Sequence, residues 1–431
     1  VQGKFAVYER FSLVVAYRFV RPPRRKTSGQ LLFRESTMAQ GISITSAHTR
    51  AIAAADTAAV PWYVWTSALA VTSTVVGLYW DISWHMSIGR DTFWTPAHLG
   101  IHFGAIVAGI SSTLLILATT FGKEAAAKRA TSVRVWGFYG PLGAFVSLWG
   151  GMTMLTSAPF DDWWHNAFGL DVQIMSPPHV VLALGIFVLG LGGLFLVVAE
   201  MNRANAELRE KLNRIFLYVG CMLLMLILML IYEYTDYTLA HSGIYYRVLA
   251  TAMPLLLVGI ARASGYRWAA TKVAAAYFVL WLLALWLVPF VPAQAKLGPV
   301  YTPISHLVPL SFPVLLFAGA AALDFLLDKT AGRNRWLQAL VAGIGFVVAM
   351  IVVEWPMSSF LISKMAENPI FGTDYYPYME RPSDYIESHR FFVYEATRGA
   401  FWMNMAWAFV AAILTTRIGL SWGDWMRKVK R

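Results

Sequence analysis

Two stretches of this chain repeat a set of metal-ligating residue types at almost the same spacing. Residues 81–98 read DISWHMSIGRDTFWTPAH and residues 161–179 read DDWWHNAFGLDVQIMSPPH. Counted from its first Asp, each has Trp at +3, His at +4, Gly at +8 and Asp at +10, then a proline-containing turn and a closing His at +17 or +18. Asp and His four apart share one helical face, close enough to hold one ion. The Gly and Pro residues permit a tight reversal, and the closing His returns on the next helix. Each copy therefore offers two imidazoles and one carboxylate with coordination positions left open. That donor set suits Cu(II), non-haem Fe(II) or Zn(II). The first set, Asp81, His85 and His98, is expected to be catalytic as well as metal-binding. The second is Asp161, His165 and His179. The competing reading is a duplicated elbow whose Asp–His hydrogen bonds only pin helices together, but so many titratable groups would make an expensive hinge. The one cysteine, Cys221, excludes an intramolecular disulfide and any multi-thiolate metal site.

The elements that must position these residues are membrane helices. Of 431 residues, 58% are hydrophobic and 14% charged, and the mean hydropathy is +0.54. A soluble chain carries about 25% charged residues. Apolar runs long enough to span a bilayer recur near 62–80, 97–121, 135–157, 179–200, 214–233, 247–263, 270–292, 305–327, 336–355 and 398–417. The expected fold is an all-α polytopic membrane protein of about ten transmembrane helices, with a helix–elbow–helix unit repeated once. With both termini cytoplasmic, 19 Lys and Arg fall in the inner connectors and C-terminal tail and 7 in the outer connectors, the bias that fixes orientation. Apart from His48, every histidine then lies in an outer connector or near an outer helix end. The net charge of +11 is spread over connectors and tails, so the basic residues read as topology signals and nucleic acid is not an expected partner.

At the elbows the chain resembles the C subunit of the copper membrane monooxygenases, the family of the particulate methane and ammonia monooxygenases. The resemblance rests on Trp84-His85, Arg90-Asp91-Thr92, Thr95-Pro96 and His98, and extends over about residues 60–265. The family's first site matches Asp81, His85 and His98. Its second site carries an Asn where this chain has Asp161, followed by positions matching His165 and His179. Asp171 and Pro177 also coincide with the family pattern. Asp161 in place of an amide binds a cation more strongly, and His102, one turn beyond His98, has no family counterpart. The resemblance implies copper, dioxygen, a small apolar or gaseous substrate, and other membrane subunits, including a cupredoxin-like one that this chain does not contain. The alternatives are a copper-handling protein for uptake or delivery and a non-catalytic assembly protein.

The organisation expected is a basic N-terminal tail over 1–61, a duplicated metal-binding region over 62–265, and a C-terminal transmembrane region over 266–431 whose outer segment, 356–397, reads as a lid or docking surface. Residues 1–37 differ in character from the rest, and Met38 is the expected natural start. The expected location is a bacterial or archaeal cytoplasmic membrane, with the metal sites at its outer face. Asp91, His102, Asp171, Glu233, Asp236 and His241 are candidates to support the ligands. His306 and Glu354 read as interfacial, Asp324 as paired with a basic group, and Met222, Met225 and Met229 as helix packing.

Overall fold

The computed structural model describes residues 59–89, 94–123, 125–169, 176–381, 390–392 and 394–431. The chain divides into a segment Val1–Ala53 and a body Ala54–Arg431, and the described residues all belong to the body. Helices dominate it: α1 (Trp62–Ser87), α2 (Pro96–Phe121), the short α3 (Ala125–Ala130), α4 (Leu142–Phe168), α5 (Pro177–Met201), α6 (Ala206–Leu230), α7 (Gly243–Ser264), α8 (Ala269–Leu287), α9 (Leu316–Lys329), α10 (Arg335–Leu361) and α11 (Arg398–Met426). Seven of these are long and apolar enough to cross a membrane: α2, α5, α6, α7, α8 with its 3-10 extension, α10 and α11. The chain is a multi-pass membrane protein. The first span expected, α1, and the third, α4, fall outside that set: their apolar stretches are interrupted by Ser, Thr, Gly and Trp residues before the ligand-bearing turns begin.

The third expected span begins later than its apolar run. Val133–Val135 and Phe138–Gly140 form a small antiparallel hairpin, β1 and β2, closed by Trp136 and Gly137, both at positive φ. Positive φ at both central residues is the geometry of a two-residue hairpin turn. Pro141 then precedes the first turn of α4, where its missing amide costs nothing.

The eighth run, 305–327, departs further. Only its second half is helical: α9 has 14 residues, and the chain before it runs extended through Pro303, Pro309 and Pro313. Each of these prolines lacks an amide and pushes the residue before it out of the α region. This extended segment is buried among helices, with Leu307, Val308, Leu310 and Val314 all in the core. Irregular backbone inside a membrane bundle must find partners for its polar groups. Here side chains supply them. Val308 N–H donates to Ser87 Oγ at 2.6 Å, Leu310 N–H to Tyr79 at 3.2 Å, and Ser311 N–H to Tyr232 at 3.0 Å. Leu315 N–H donates to the Glu354 carboxylate.

α6 runs through the core, and Met222, Met225 and Met229 are buried in it, so the methionine spacing serves packing. At the loop end, Asp424 of α11 receives Arg262 of α7 at 2.6 Å and Arg335 of α10 at 2.8 Å. Asn202 beyond α5 donates to Met426 O and Val429 O. Asp324 takes the Thr271 amide and hydroxyl, both at 2.8 Å. It therefore caps the first turn of α8, and Lys272, a nearby basic group of the kind expected, also acts on it electrostatically.

Candidate metal centre

The two ligand sets sit on two helix hairpins, α1–α2 and α4–α5, whose packing repeats along with their sequence. A Cβ on Gly104 would lie 2.6 Å from Ala70 O and 3.2 Å from Thr74 N, and one on Gly185 would lie 3.0 Å from Gly150 O and 2.8 Å from Met154 N. Gly104 and Gly185 differ by 81, like His98 and His179. Ala70 and Gly150, and Thr74 and Met154, differ by 80, like Asp81 and Asp161. The same backbone-to-backbone approach thus recurs at equivalent positions, about two turns from the closing His. The sequence reading missed these glycines. A shared offset from the histidines was the signal that could have found them.

In the first hairpin, Asp81 and His85 project from the last turns of α1, and His98 from the first turn of α2. Thr95 caps α2, its hydroxyl accepting the His98 amide at 3.3 Å, and Pro96 opens the helix. His98 is therefore held by the capped turn itself. Its Nε2 lies 3.0 Å from Asp81 Oδ1, and His85 Nε2 lies 3.7 Å from the same oxygen. One ligand atom from each of the three residues can be chosen so that all lie within 4.8 Å of one another. Asp81 Oδ1 is buried and has no well-aligned hydrogen bond, although two imidazole nitrogens face it. Donors about 2.1 Å from a shared ion at tetrahedral or octahedral angles stand roughly 3.0–3.4 Å apart. The Asp81–His98 separation falls at the short end of this range, and the Asp81–His85 separation lies slightly above it. Two imidazoles and one carboxylate are a donor set that a transition-metal ion can use, and the spacing of these residues fits one. The His85 side chain is 41% exposed, which leaves one side of the cluster open to an external ligand.

The second hairpin repeats the arrangement, with both imidazoles at similar distances from the carboxylate. His165 Nε2 and His179 Nε2 lie 3.1 and 3.5 Å from Asp161 Oδ1. Among the described residues, only the first cluster brings all three ligand atoms within 4.8 Å. His165 Nδ1 contacts Gly169 O at 3.0 Å, and Gly169 ends α4 at φ +83°, as Gly89 follows α1 at φ +88°. The two clusters are neighbours, since His179 acts electrostatically on Asp81.

Of the supporting residues expected, His102 is near the first cluster, within electrostatic reach of His98 and Asp81. Asp91 and Asp171 lie outside the described residues, as do His48 and His389. Glu233 is exposed. Asp236 accepts from Ser311 Oγ at 2.7 Å and from Thr238, so its partners lie in the extended segment and its own turn. His241 contacts Trp355 O at 3.0 Å and Ser359 Oγ at 3.2 Å, and stacks between Trp355 and Phe391. Burial there pushes its imidazole below the ordinary histidine value, partly opposed by the Trp355 carbonyl. The partners described for Asp236 and His241 lie away from both clusters. His306 is half-buried against Tyr375. Glu354, expected at an interface, is 4% exposed and belongs to the interior.

Backbone from the C-terminal region covers the first elbow. Tyr378 N–H donates to Met86 O at 3.1 Å and Lys296 N–H to Ile88 O at 2.9 Å. Ser83 Oγ donates to Val308 O at 2.6 Å. The hydroxyls of Tyr79, Ser83 and Ser87 recur every four residues on α1, one face of the helix, while Asp81 and His85 occupy another. The sequence reading passed over this hydroxyl row, although its spacing was visible.

No family model, curated protein or solved structure matches this chain.

Proposed function

We propose that this chain is an integral membrane metalloprotein. In this reading Asp81, His85 and His98 hold a transition-metal ion, copper by the resemblance, and Asp161, His165 and His179 form a second, weaker site. The observation that carries the proposal is the convergence of two imidazole nitrogens on the buried Asp81 oxygen, at separations close to those a shared ion imposes. Ten spans with both ends on the inner side, favoured by the Lys and Arg distribution, put both elbows at the outer face.

The activity proposed is that of a copper membrane oxygenase subunit acting with partner subunits on a small apolar substrate and dioxygen. Copper bound there would supply redox chemistry toward dioxygen. The protein's own part is to hold the two imidazoles and the carboxylate in place, to keep the His85 side open, and to surround the elbow with apolar helices in which such a substrate dissolves. Zinc or non-haem iron fits the same donors, and a copper-handling role would use the same site without turnover.

Elemental analysis of the purified full chain tests the reading. We expect bound copper that falls by about one ion per chain in His85→Ala and His98→Ala, with oxidation of a small hydrocarbon lost in parallel. His48→Ala should change neither. Metal content that is the same in wild type and both variants would sink the site. Copper without oxygen-dependent turnover in the assembled membrane would leave the metal site standing and remove the oxygenase reading.

A further inference from the structure

A second group of ionisable side chains lies in the interior, at the break where the extended segment turns into α9. Glu354 on α10 is at its centre. Its carboxylate accepts the Leu315 amide one residue before α9 and the Tyr245 hydroxyl from α7. Tyr246 of α7 and Tyr277 of α8 act on it electrostatically. The Tyr246 hydroxyl is buried with no hydrogen-bond partner among the described residues. No Lys, Arg or His acts on Glu354 among the described residues. An acid inside a membrane bundle without a cation is costly to keep charged, and a helix N-terminus offsets only part of that cost.

Hydroxyl groups connect this acid toward the elbow end of the bundle. Asp236, partly exposed beyond α6, accepts from Ser311 Oγ at 2.7 Å. Ser311 Oγ is hydrogen-bonded in turn to the Tyr232 hydroxyl. Beside them is a cavity of about 10 Å³ with a mostly apolar wall, into which Tyr232, Asp236, Tyr277 and Ser311 bring polar groups; it is close to the room one water needs. On its far side the Tyr277 hydroxyl takes the Val314 amide, and the next amide, that of Leu315, is the one on Glu354. Each hydroxyl in this series can give one proton and accept another. A purely structural anchor needs only Glu354 and the Leu315 amide. It does not call for a series of hydroxyls between Asp236 and Tyr277.

We propose that Glu354 is a proton-binding site that exchanges with water at the elbow end through Asp236, Ser311, Tyr232 and Tyr277. A proton taken up at Asp236 passes to Ser311 and Tyr232 as each releases its own, crosses the cavity to Tyr277, and ends on a Glu354 oxygen. No electron moves. The site is separate from both Asp–His clusters and does not depend on a metal.

Infrared difference spectroscopy of the full chain in phosphatidylcholine nanodiscs tests this. Wild type should show a protonated-carboxyl band that appears on acidification, disappears in Glu354→Gln and shifts in D₂O. Glu354→Asp keeps a carboxyl and should move the band, which assigns it even if the Gln variant does not assemble. Asp236→Asn and Tyr232→Phe should keep the band but slow its deuteration by at least about tenfold. A wild-type spectrum with no such band at any pH makes Glu354 a permanently charged cap and overturns the proposal. Unchanged deuteration in both path variants overturns the route.

Discussion

Tyr79, Ser83 and Ser87 on α1 occupy the positions that Pro159, Trp163 and Ala167 hold on α4. The first three grip the extended segment through Leu310 and Val308. Their counterparts point outward, with Trp163 57% and the nearby Phe168 66% exposed. A Cβ on Gly89 would meet the Tyr378 hydroxyl at 2.6 Å, whereas one on Gly169 would meet nothing within 4 Å. The duplicated hairpins thus share ligands, turns and glycine packing, and differ in whether the C-terminal region covers them. The covered copy has the compact cluster. The backbone that covers the first hairpin, at Lys296, Val308, Leu310 and Tyr378, all comes from beyond residue 266.

Substitution at the shared glycines should have the largest effect. Gly104→Leu and Gly185→Leu each push a branched side chain into the backbone of the facing helix, and each should cost more than about 3 kcal/mol. Unfolding in detergent measures it. If one variant is tolerated and the other is not, the hairpins do not pack alike and the comparison breaks.

Next comes the brace. The double variant Ser83→Ala/Ser87→Ala strips the Val308 amide and carbonyl of their described side-chain partners inside the bundle, at about 1–3 kcal/mol for each group left unsatisfied. Metal affinity at the first site should fall about tenfold, within the range that loss of a supporting contact produces. Trp163→Ala at the equivalent place on α4 should leave affinity at both sites unchanged. Equal losses in the two variants would show that docking has nothing to do with the tighter geometry.

The smallest expected difference is at the caps. Thr95 accepts the His98 amide, while the Ser176 hydroxyl is buried and has no hydrogen-bond partner among the described residues. Thr95→Ala should lower stability by about 1 kcal/mol, and Ser176→Ala should stay within about 0.5 kcal/mol of wild type. Thermal melts of the two variants, compared directly, sharpen the contrast between a fixed and a loosely held closing histidine.

Much of the ligand geometry was legible because a helix converts spacing into direction. Asp81 and His85, and Asp161 and His165, could be placed on one face from their numbers alone, and the Pro–His ending placed the third ligand. Hydropathy located a helix in every apolar run but could not show that 305–315 is extended. Leu307, Val308 and Leu310 are as apolar as helix residues, and Pro303 and Pro309 lie near a span end, where a missing amide is easily tolerated. Glu354 was misplaced for a related reason. Its position in the sequence is near a helix end, but the extended segment folds over it, and that fold depends on hydroxyls from α1 and from Tyr232, beyond α6, far away in the chain. Periodicity reports on one element at a time, so contacts made between distant elements stay hidden from it.

Those distances along the chain also set an order of events. Ser83 and Ser87 precede their partner Val308 by 225 and 221 residues. At a synthesis rate of about 5–20 residues per second, α1 enters the membrane roughly 10–45 s before the backbone it will hold exists. During that interval its hydroxyls must be kept from lipid, and a bond back onto their own helix would do this, as Ser87 Oγ does to Ser83 O at 2.6 Å. The first elbow is then among the earliest parts of the protein to be inserted and among the last to be locked. A chain stalled or truncated before residue 308 would carry both ligand sets with neither one braced.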